Sequence, residues 1–110
     1  MTDFIKISDA ALRKPELAEL MEKVCPEAGV RWHAIGLQLG IPNGTLQMID
    51  NDGRGRVRDC CREMFDEWLN VNPNATWRQL INVLCSAAVG KNVLAMQLCE
   101  QLGAPPPAPR

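Results

Sequence analysis

The sequence lacks the groups of side chains that most enzymes and metal sites need. Its only histidine is His33, and none of its five cysteines stands in a C-x-x-C pair. A Cys–His dyad would therefore have to use His33, and a zinc ion would lack ligands at the usual spacing. His33 follows Trp32 in a helical pattern and is expected at the surface. The sequence predicts a protein that is not an enzyme and that holds no cofactor or metal.

Long apolar runs and a strong net charge are absent as well. No apolar run approaches the ~20 residues that span a bilayer, and the segment Met1–Lys6 has an early acid and no apolar core, unlike a signal peptide. The net charge of −1 argues against a general binder of nucleic acids or membrane surfaces. The odd cysteine count fits a reducing compartment, in which thiols act as small buried hydrophobes. We expect a cytoplasmic protein with reduced thiols, and a secreted disulfide framework is the alternative.

Apolar side chains recur at helical spacing, most clearly in two stretches that Pro73 separates, residues 57–70 and 77–88. Thr76 is placed to cap the second stretch, and Gln79 completes a capping box three residues later. Neither helix would be stable alone in water, so each is expected to bury its apolar face against the other. The three tryptophans are expected in the core rather than in a ligand cage. The predicted core stripes are Val57, Cys61, Met64 and Trp68 in the first helix, and Trp77, Leu80, Ile81, Leu84 and Ala88 in the second.

Four more helical patterns complete the chain. Predicted helix 1 begins at Pro15, predicted helix 2 stops near Gly40, and Asn43 is expected to cap a short helix 3. The run of residues 50–55 favours a polar loop, and predicted helix 6 opens near Lys91 or Asn92. With no strand pattern and no internal repeat, the six patterns predict an all-α antiparallel helical bundle.

Four segments resemble helices of the death domain family. RWHAIGLQLGI at 31–41, CREMFDEWL at 61–69 and NATWRQLINVL at 74–84 are similar to the family's helices 2, 4 and 5, with three tryptophans in register. VGKNVLAMQL at 89–98 is similar to its last connection and helix 6. The predicted divisions of the chain are an N-terminal flank at 1–13, a death domain at 14–103 and a proline-rich tail at 104–110, either a linker or a non-native end.

The resemblance implies a six-helix antiparallel Greek-key bundle of the death-fold type. It also implies homotypic binding to other death domains, on copies of this chain or on different ones, with oligomeric assembly during signalling. Such domains typically belong to larger cytoplasmic receptors or adaptors in apoptosis or innate immunity. No contact of this domain with nucleic acid or membrane is expected.

Charged residues around the predicted start of helix 4 are the candidates for partner binding. The positive charge of an arginine at a helix N-terminus interacts unfavourably with the positive end of the helix dipole. Four arginines with no lysine favour forked recognition of carboxylates over mere solubility. Acidic residues flank them at the ends of helices 3 and 4. The predicted partner-binding residues are Arg54, Arg56, Arg58 and Arg62, together with Asp50, Asp52, Asp66 and Glu67.

A small helical nucleic-acid-binding domain is the alternative function, with the arginines of residues 54–62 as a phosphate clamp. Against it, the neighbouring acids would repel a phosphate backbone, and no helix carries a continuous basic face. A titration against DNA at two salt concentrations separates the two functions, because phosphate binding weakens steeply with salt.

Overall fold

The fold is built from helices. A computed structural model describes residues 13–54 and 56–103. Six helices of seven residues or more account for most of these residues, and this part of the chain contains no strand. The helices are α1 (Leu17–Lys23), α2 (Trp32–Gln38), α3 (Asn43–Gly53), α4 (Val57–Val71), α5 (Trp77–Leu84) and α6 (Asn92–Leu102). This arrangement confirms the predicted all-α bundle of six helices.

A four-residue helix, Cys25–Ala28, and a 3-10 turn, Gly29–Arg31, join α1 to α2. We call Cys25–Ala28 the connecting helix. Pro26 fits its first turn, where a missing N–H costs no helical hydrogen bond. The predicted N-terminal flank, apart from residue 13, and the predicted tail at 104–110 lie outside the described residues.

Helix α4 lies at the centre of the bundle, because α1, α2 and α3 all pack against it. Helix α5 packs in turn against α2 and α6. Trp68 on α4 is 1% exposed and Trp77 on α5 is 0% exposed, and Trp32 on α2 is buried as well. The prediction that the tryptophans belong to the core is therefore confirmed, and these large rings contribute much of the buried apolar area.

Helix α5 begins with the predicted capping box. The Thr76 hydroxyl accepts a hydrogen bond from the Gln79 N–H at 3.2 Å, and the Gln79 side-chain oxygen accepts one from the Thr76 N–H at 3.2 Å. Two N–H groups that a helix start leaves unpaired are satisfied in this way. The backbone N–H of Trp77 donates a hydrogen bond to the backbone carbonyl of Arg13 at 3.0 Å. This bond connects the segment before α1 to the start of α5.

Helix α5 ends at Leu84, so its predicted extension to Ala88 is wrong. The Ser86 hydroxyl donates to the Val83 carbonyl at 2.6 Å, and the Gly90 N–H donates to the Ser86 carbonyl at 2.7 Å. A side-chain hydrogen bond of this kind competes with the helical ladder. The chain consequently turns before it enters α6.

Helix α3 differs from its prediction at both ends. Asn43 does not cap it, because Pro42 occupies the N-cap position and Asn43 Oδ1 instead lies 3.0 Å from His33 Nε2. The helix continues to Gly53, so the polar loop predicted from residue 50 onward is wrong. Ile49 is buried, and its carbonyl accepts the Sγ–H of Cys60 on α4 at 3.8 Å. Packing against α4 outweighs the weak helix propensity of Asp and Asn in this segment.

Two smaller differences concern the starts of other helices. Helix α1 begins at Leu17 rather than Pro15, and Pro15 is buried just before the N-cap residue Glu16. Val57, predicted in the core stripe of α4, is 42% exposed. It is the first residue of its helix, where the bundle no longer encloses the stripe.

Alanine in place of Gly36 is expected to destabilise the bundle, whereas alanine in place of Gly44 is not. A Cβ on Gly36 would lie 2.6 Å from Leu46 Cδ2 and 3.1 Å from Met64 Cγ, and both of these side chains are fully buried. Such overpacking costs about 1–3 kcal/mol. A Cβ on Gly44 would meet no atom within 4 Å, so this change should be neutral or gain up to about 1 kcal/mol in helix propensity. Thermal melts measure both effects, and equal melting temperatures would contradict this packing.

Candidate functional site

The four predicted arginines surround the start of α4, and all four are exposed. Arg54 follows α3 in a left-handed conformation with φ of 52°, and Arg56 is the N-cap residue of α4. Arg58 lies in the first turn of α4, and Arg62 lies one turn further on, so these two share one edge of the helix. We call these four residues the basic cluster.

Asp59 lies among these arginines and was missed by the sequence-based prediction. It is the acidic residue of the first turn of α4, where a negative charge suits the helix dipole. Its Oδ2 lies 3.8 Å from Arg56 Nη1, and the two side chains are 55% and 74% exposed. An ion pair this exposed adds little to stability. Asp59 affects the charge of the surface instead, because it offsets part of the positive charge of the basic cluster.

Acidic side chains form a second edge of α4. Asp59, Glu63 and Glu67 are spaced by four residues, so they lie along one line of the helix. We call these three residues the acidic edge. It lies one position further along the chain, or about 100° round the helix, from the line of Arg58 and Arg62. The predicted site includes only Glu67 of the three, although the spacing that connects the two arginines would also have found the other acids.

The remaining predicted acids lie apart from one another. Asp66 is exposed on α4, four residues after Arg62, and so continues the line of the arginines. Asp50 and Asp52 are exposed on the last turns of α3. Residues two apart on a helix do not face each other, so the carboxylates of Asp50 and Asp52 point to different sides of α3.

A cleft of about 400 Å³ opens beside the basic cluster. Val57 and Arg58, at the start of α4, form one of its sides, and Val57 contributes exposed apolar surface. The cleft therefore places apolar surface next to a guanidinium group. Contacts between charges are stronger where water is partly excluded than in open solvent. The lining residues are Met21, Cys25, Pro26, Val57 and Arg58.

Four of the five thiols are buried in the bundle. Burial raises the pKa of the Cys61 thiol, and its hydrogen bond with Cys25 raises that pKa further. Burial also raises the pKa of Cys99, although the nearby Arg78 opposes the shift. A thiol held in its protonated form is a poor nucleophile and a poor metal ligand. The buried cysteines are Cys25, Cys60, Cys61 and Cys99, and Cys85 is half-buried.

His33, the single histidine, is part of the packing between α2 and α3. It is half-buried, its ring stacks on Trp32 with centroids 5.4 Å apart, and its Nε2 contacts Asn43. Within 13–54 and 56–103, no three His, Cys, Asp or Glu side chains are grouped so as to bind a metal ion. No helix in these ranges combines the length and the apolar character that a bilayer crossing demands. The charged surface around α4 remains the candidate site.

The chain matches a model of a known protein family. The family model described as Death domain matches residues 14–102, which is most of the chain. This range contains the basic cluster, the acidic edge and every residue that lines the cleft. Searches of curated proteins and of solved structures return no match.

Proposed function

Because the chain belongs to the death domain family, we propose that it joins other death domains through the basic cluster at the start of α4. Death domains are homotypic protein-interaction modules and are generally not enzymes. Their function therefore depends on surface residues that contact a partner domain. The observation that carries the proposal is the position of Arg58, which lines an apolar cleft and shares an exposed edge with Arg62.

An arginine at position 58 does not favour the stability of its own helix. Arg58 faces the positive end of the α4 dipole and precedes a like charge, Arg62, by four residues. Both effects are mildly unfavourable. A carboxylate on a partner would offset both unfavourable interactions, since a guanidinium group binds a carboxylate through two parallel hydrogen bonds. A partner that covers the apolar cleft would exclude water from one side of such a contact and so strengthen it.

The carboxylates that meet the basic cluster belong, in this proposal, to the acidic surface of another death domain. On a second copy of this chain they are supplied by the acidic edge of α4, while Asp50 and Asp52 at the end of α3, and Asp66 on the line of the arginines, add negative charge to other parts of the surface. Arg58 and Arg62 of the basic cluster lie about 100° round α4 from the acidic edge. Unlike surfaces of this kind join head to tail, which gives rings or open helical stacks rather than closed two-fold dimers.

Head-to-tail assembly suits a domain of a larger cytoplasmic receptor or adaptor in apoptotic or innate-immune signalling. We propose that residues 14–103 form this domain and that it contacts neither nucleic acid nor membrane. The position of Asp59, 3.8 Å from Arg56, supports the absence of nucleic-acid contact, because a carboxylate among the arginines would repel a phosphate backbone.

Arg58→Glu separates binding from folding. The domain should be as stable as the wild type or gain up to about 0.5 kcal/mol, because a glutamate suits the helix N-terminus and precedes Arg62 favourably. Assembly should be lost, because attraction to carboxylates becomes repulsion. A thermal melt measures the first effect, and light scattering or a pull-down with a partner death domain measures the second.

Lys14→Glu is the matched control for this experiment. It makes the same change of charge at an exposed position before α1, outside the basic cluster. It should assemble as the wild type does. If Arg58→Glu is folded and still assembles normally, the basic cluster is only a solvated surface and the proposal fails.

A further inference from the structure

Helix α4 is positive at its start and negative at its end. The basic cluster lies at the start and outnumbers the single acid of the first turn, Asp59. Glu67 stands near the other end, and the last turn contains no basic residue. The helix dipole is likewise positive at the N-terminus and negative at the C-terminus, so these side chains add to it instead of offsetting it. Each end of α4 therefore favours contact with the opposite charge on another molecule.

Val71, the last residue of α4, continues the line of the acidic edge. It follows Glu67 by four residues, so the two side chains lie on one side of the helix, about 6 Å apart along its axis. Val71 is 57% exposed and so contributes little to the core of its own bundle. The end of α4 thus presents an apolar side chain and a carboxylate together.

The cleft beside the basic cluster has the complementary arrangement. Val57 and Arg58 are consecutive residues of its lining, and Met21 and Pro26 add further apolar surface. A guanidinium group therefore adjoins an apolar wall in the cleft. Its volume of about 400 Å³ is ample for the side chain of a valine.

We infer that the end of α4 on one copy of the chain docks into the cleft of the next copy, with Val71 in the apolar part of the cleft and Glu67 on Arg58. This inference rests on the proposed binding of the basic cluster to another death domain, and it names the residues of a second copy that make the contact. Docking removes the apolar surface of Val71 from water, and the carboxylate meets the guanidinium where water is partly excluded. The negative end of one α4 dipole then faces the positive end of the next.

Two other exposed side chains, Met48 on α3 and Met96 on α6, precede a carboxylate by one helical turn. They match the charge of the cleft less well. Asp52, which follows Met48, is itself followed by Arg54, and this arginine would face the arginines of the next copy. Glu100, which follows Met96, is the only acidic residue of α6. Val71, in contrast, extends a line of three carboxylates.

An exchange of the two charges between the paired positions tests this contact. Arg58→Glu alone and Glu67→Arg alone should each abolish assembly at low salt, because like charges then meet. The double variant Arg58→Glu/Glu67→Arg should assemble again, since opposite charges meet once more. Both substitutions suit the helix dipole, so this variant should melt no lower than the wild type. Light scattering measures assembly, and a thermal melt measures folding.

Three matched controls combine Arg58→Glu with an arginine at a different acidic position, and all of them keep the net charge of the wild type. None of them should assemble, because Glu67 still meets a glutamate at position 58. A control that assembles while Arg58→Glu/Glu67→Arg does not would assign the contact to other residues and overturn the inference. The second substitution of the controls is Asp52→Arg, Glu63→Arg or Glu100→Arg.

Val71→Ala tests the apolar part of the contact. Removal of two methyl groups that enter the cleft should raise the protein concentration needed for assembly by about tenfold. Val93→Ala makes the same change at a valine that is 73% exposed on α6, and it should leave that concentration unchanged. Equal effects of the two variants would show that Val71 does not occupy the cleft.

The outcomes distinguish this contact from the more general proposed function. If Arg58→Glu prevents assembly and the added Glu67→Arg does not restore it, the basic cluster binds other carboxylates and only the inference fails. If Arg58→Glu assembles normally, the proposed function fails as well. A wild type that binds a different death domain but stays monomeric alone would overturn the inference and leave the proposed function standing.

Discussion

Trp77→Ala is expected to lower the free energy of unfolding by about 3–5 kcal/mol. The Trp77 side chain is 0% exposed, and alanine would leave a cavity that the surrounding helices fill only in part. Small domains are stable by only ~5–15 kcal/mol, so a loss of this size is enough to unfold a marginal one. Trp68→Ala, on the central helix α4, should cost a similar amount because Trp68 is 1% exposed.

Two milder substitutions serve as controls for the tryptophans. Trp77 Nε1 is buried and has no hydrogen-bond partner, so Trp77→Phe keeps much of the buried ring while it removes an unsatisfied donor. This variant should lose clearly less stability than Trp77→Ala. Met48→Ala, at a side chain 65% exposed on α3, should change the free energy of unfolding by less than ~0.5 kcal/mol. Chemical denaturation compares these variants, and a Trp77→Ala domain that melts within a few degrees of the wild type would show that Trp77 is not a core residue.

Assembly through the basic cluster should disappear as the salt concentration rises past physiological strength. The Debye length falls from about 8 Å at 0.15 M to about 3 Å at 1 M ionic strength. Contacts between exposed guanidinium and carboxylate groups are screened over this range, whereas salt does not weaken the burial of apolar surface in the same way. Light scattering should therefore show large assemblies at low salt and monomers at high salt.

The fold itself is the control for this salt dependence. Its core consists of apolar side chains and contains no buried charged residue among those described. The melting temperature should consequently change little over the salt range in which assembly is lost. A symmetric dimer that survives high salt would indicate an apolar interface and would contradict the role of the basic cluster.

The sequence predicted correctly those parts of the fold that depend on interactions between residues close together in the chain. The capping box of Thr76 and Gln79 needs only four consecutive residues, and both of its hydrogen bonds form. The apolar stripe that contains Met64 and Trp68 is set by helical periodicity, and both side chains are buried. In these places the local preference and the packed bundle agree.

The errors occur where contacts between distant segments decide the outcome. Residues 50–53 have weak helix propensity, yet α3 includes them because Ile49 packs against α4. Val57 belongs to the apolar stripe by its spacing, but its place at the end of α4 leaves it 42% exposed. The cleft could not be predicted at all, because α1, the connecting helix and α4 each contribute to it and the pattern of one segment contains no information on the others.

The candidate site was predictable in part. The exposure of Arg58 and Arg62 follows from their places outside the apolar stripe of α4, and the structure agrees. Asp59 was missed although it stands three residues after Arg56, a spacing that brings two side chains together at the start of a helix. What these residues bind depends also on the surface of a second molecule, which the pattern of one chain does not contain.

Two double variants, each altered on one surface, distinguish head-to-tail joining from other modes of contact. The first carries Arg58→Glu and Arg62→Glu, which cancel the net positive charge of the basic cluster and leave the acidic edge intact. The second carries Glu63→Gln and Glu67→Gln, which remove two of the three charges of the acidic edge and leave the basic cluster intact. Neutral glutamine is used so that the two altered surfaces do not attract each other in a mixture.

Light scattering at low salt then compares the wild type, each double variant alone and their equimolar mixture. The wild type should form assemblies larger than dimers, and each variant alone should remain monomeric because it has lost one of the two unlike surfaces. The mixture should give one-to-one complexes and nothing larger, because each complex joins the two intact surfaces and leaves none free. If the wild type assembles while the mixture stays monomeric, or if either variant assembles alone, the basic cluster does not bind the acidic edge of a second copy.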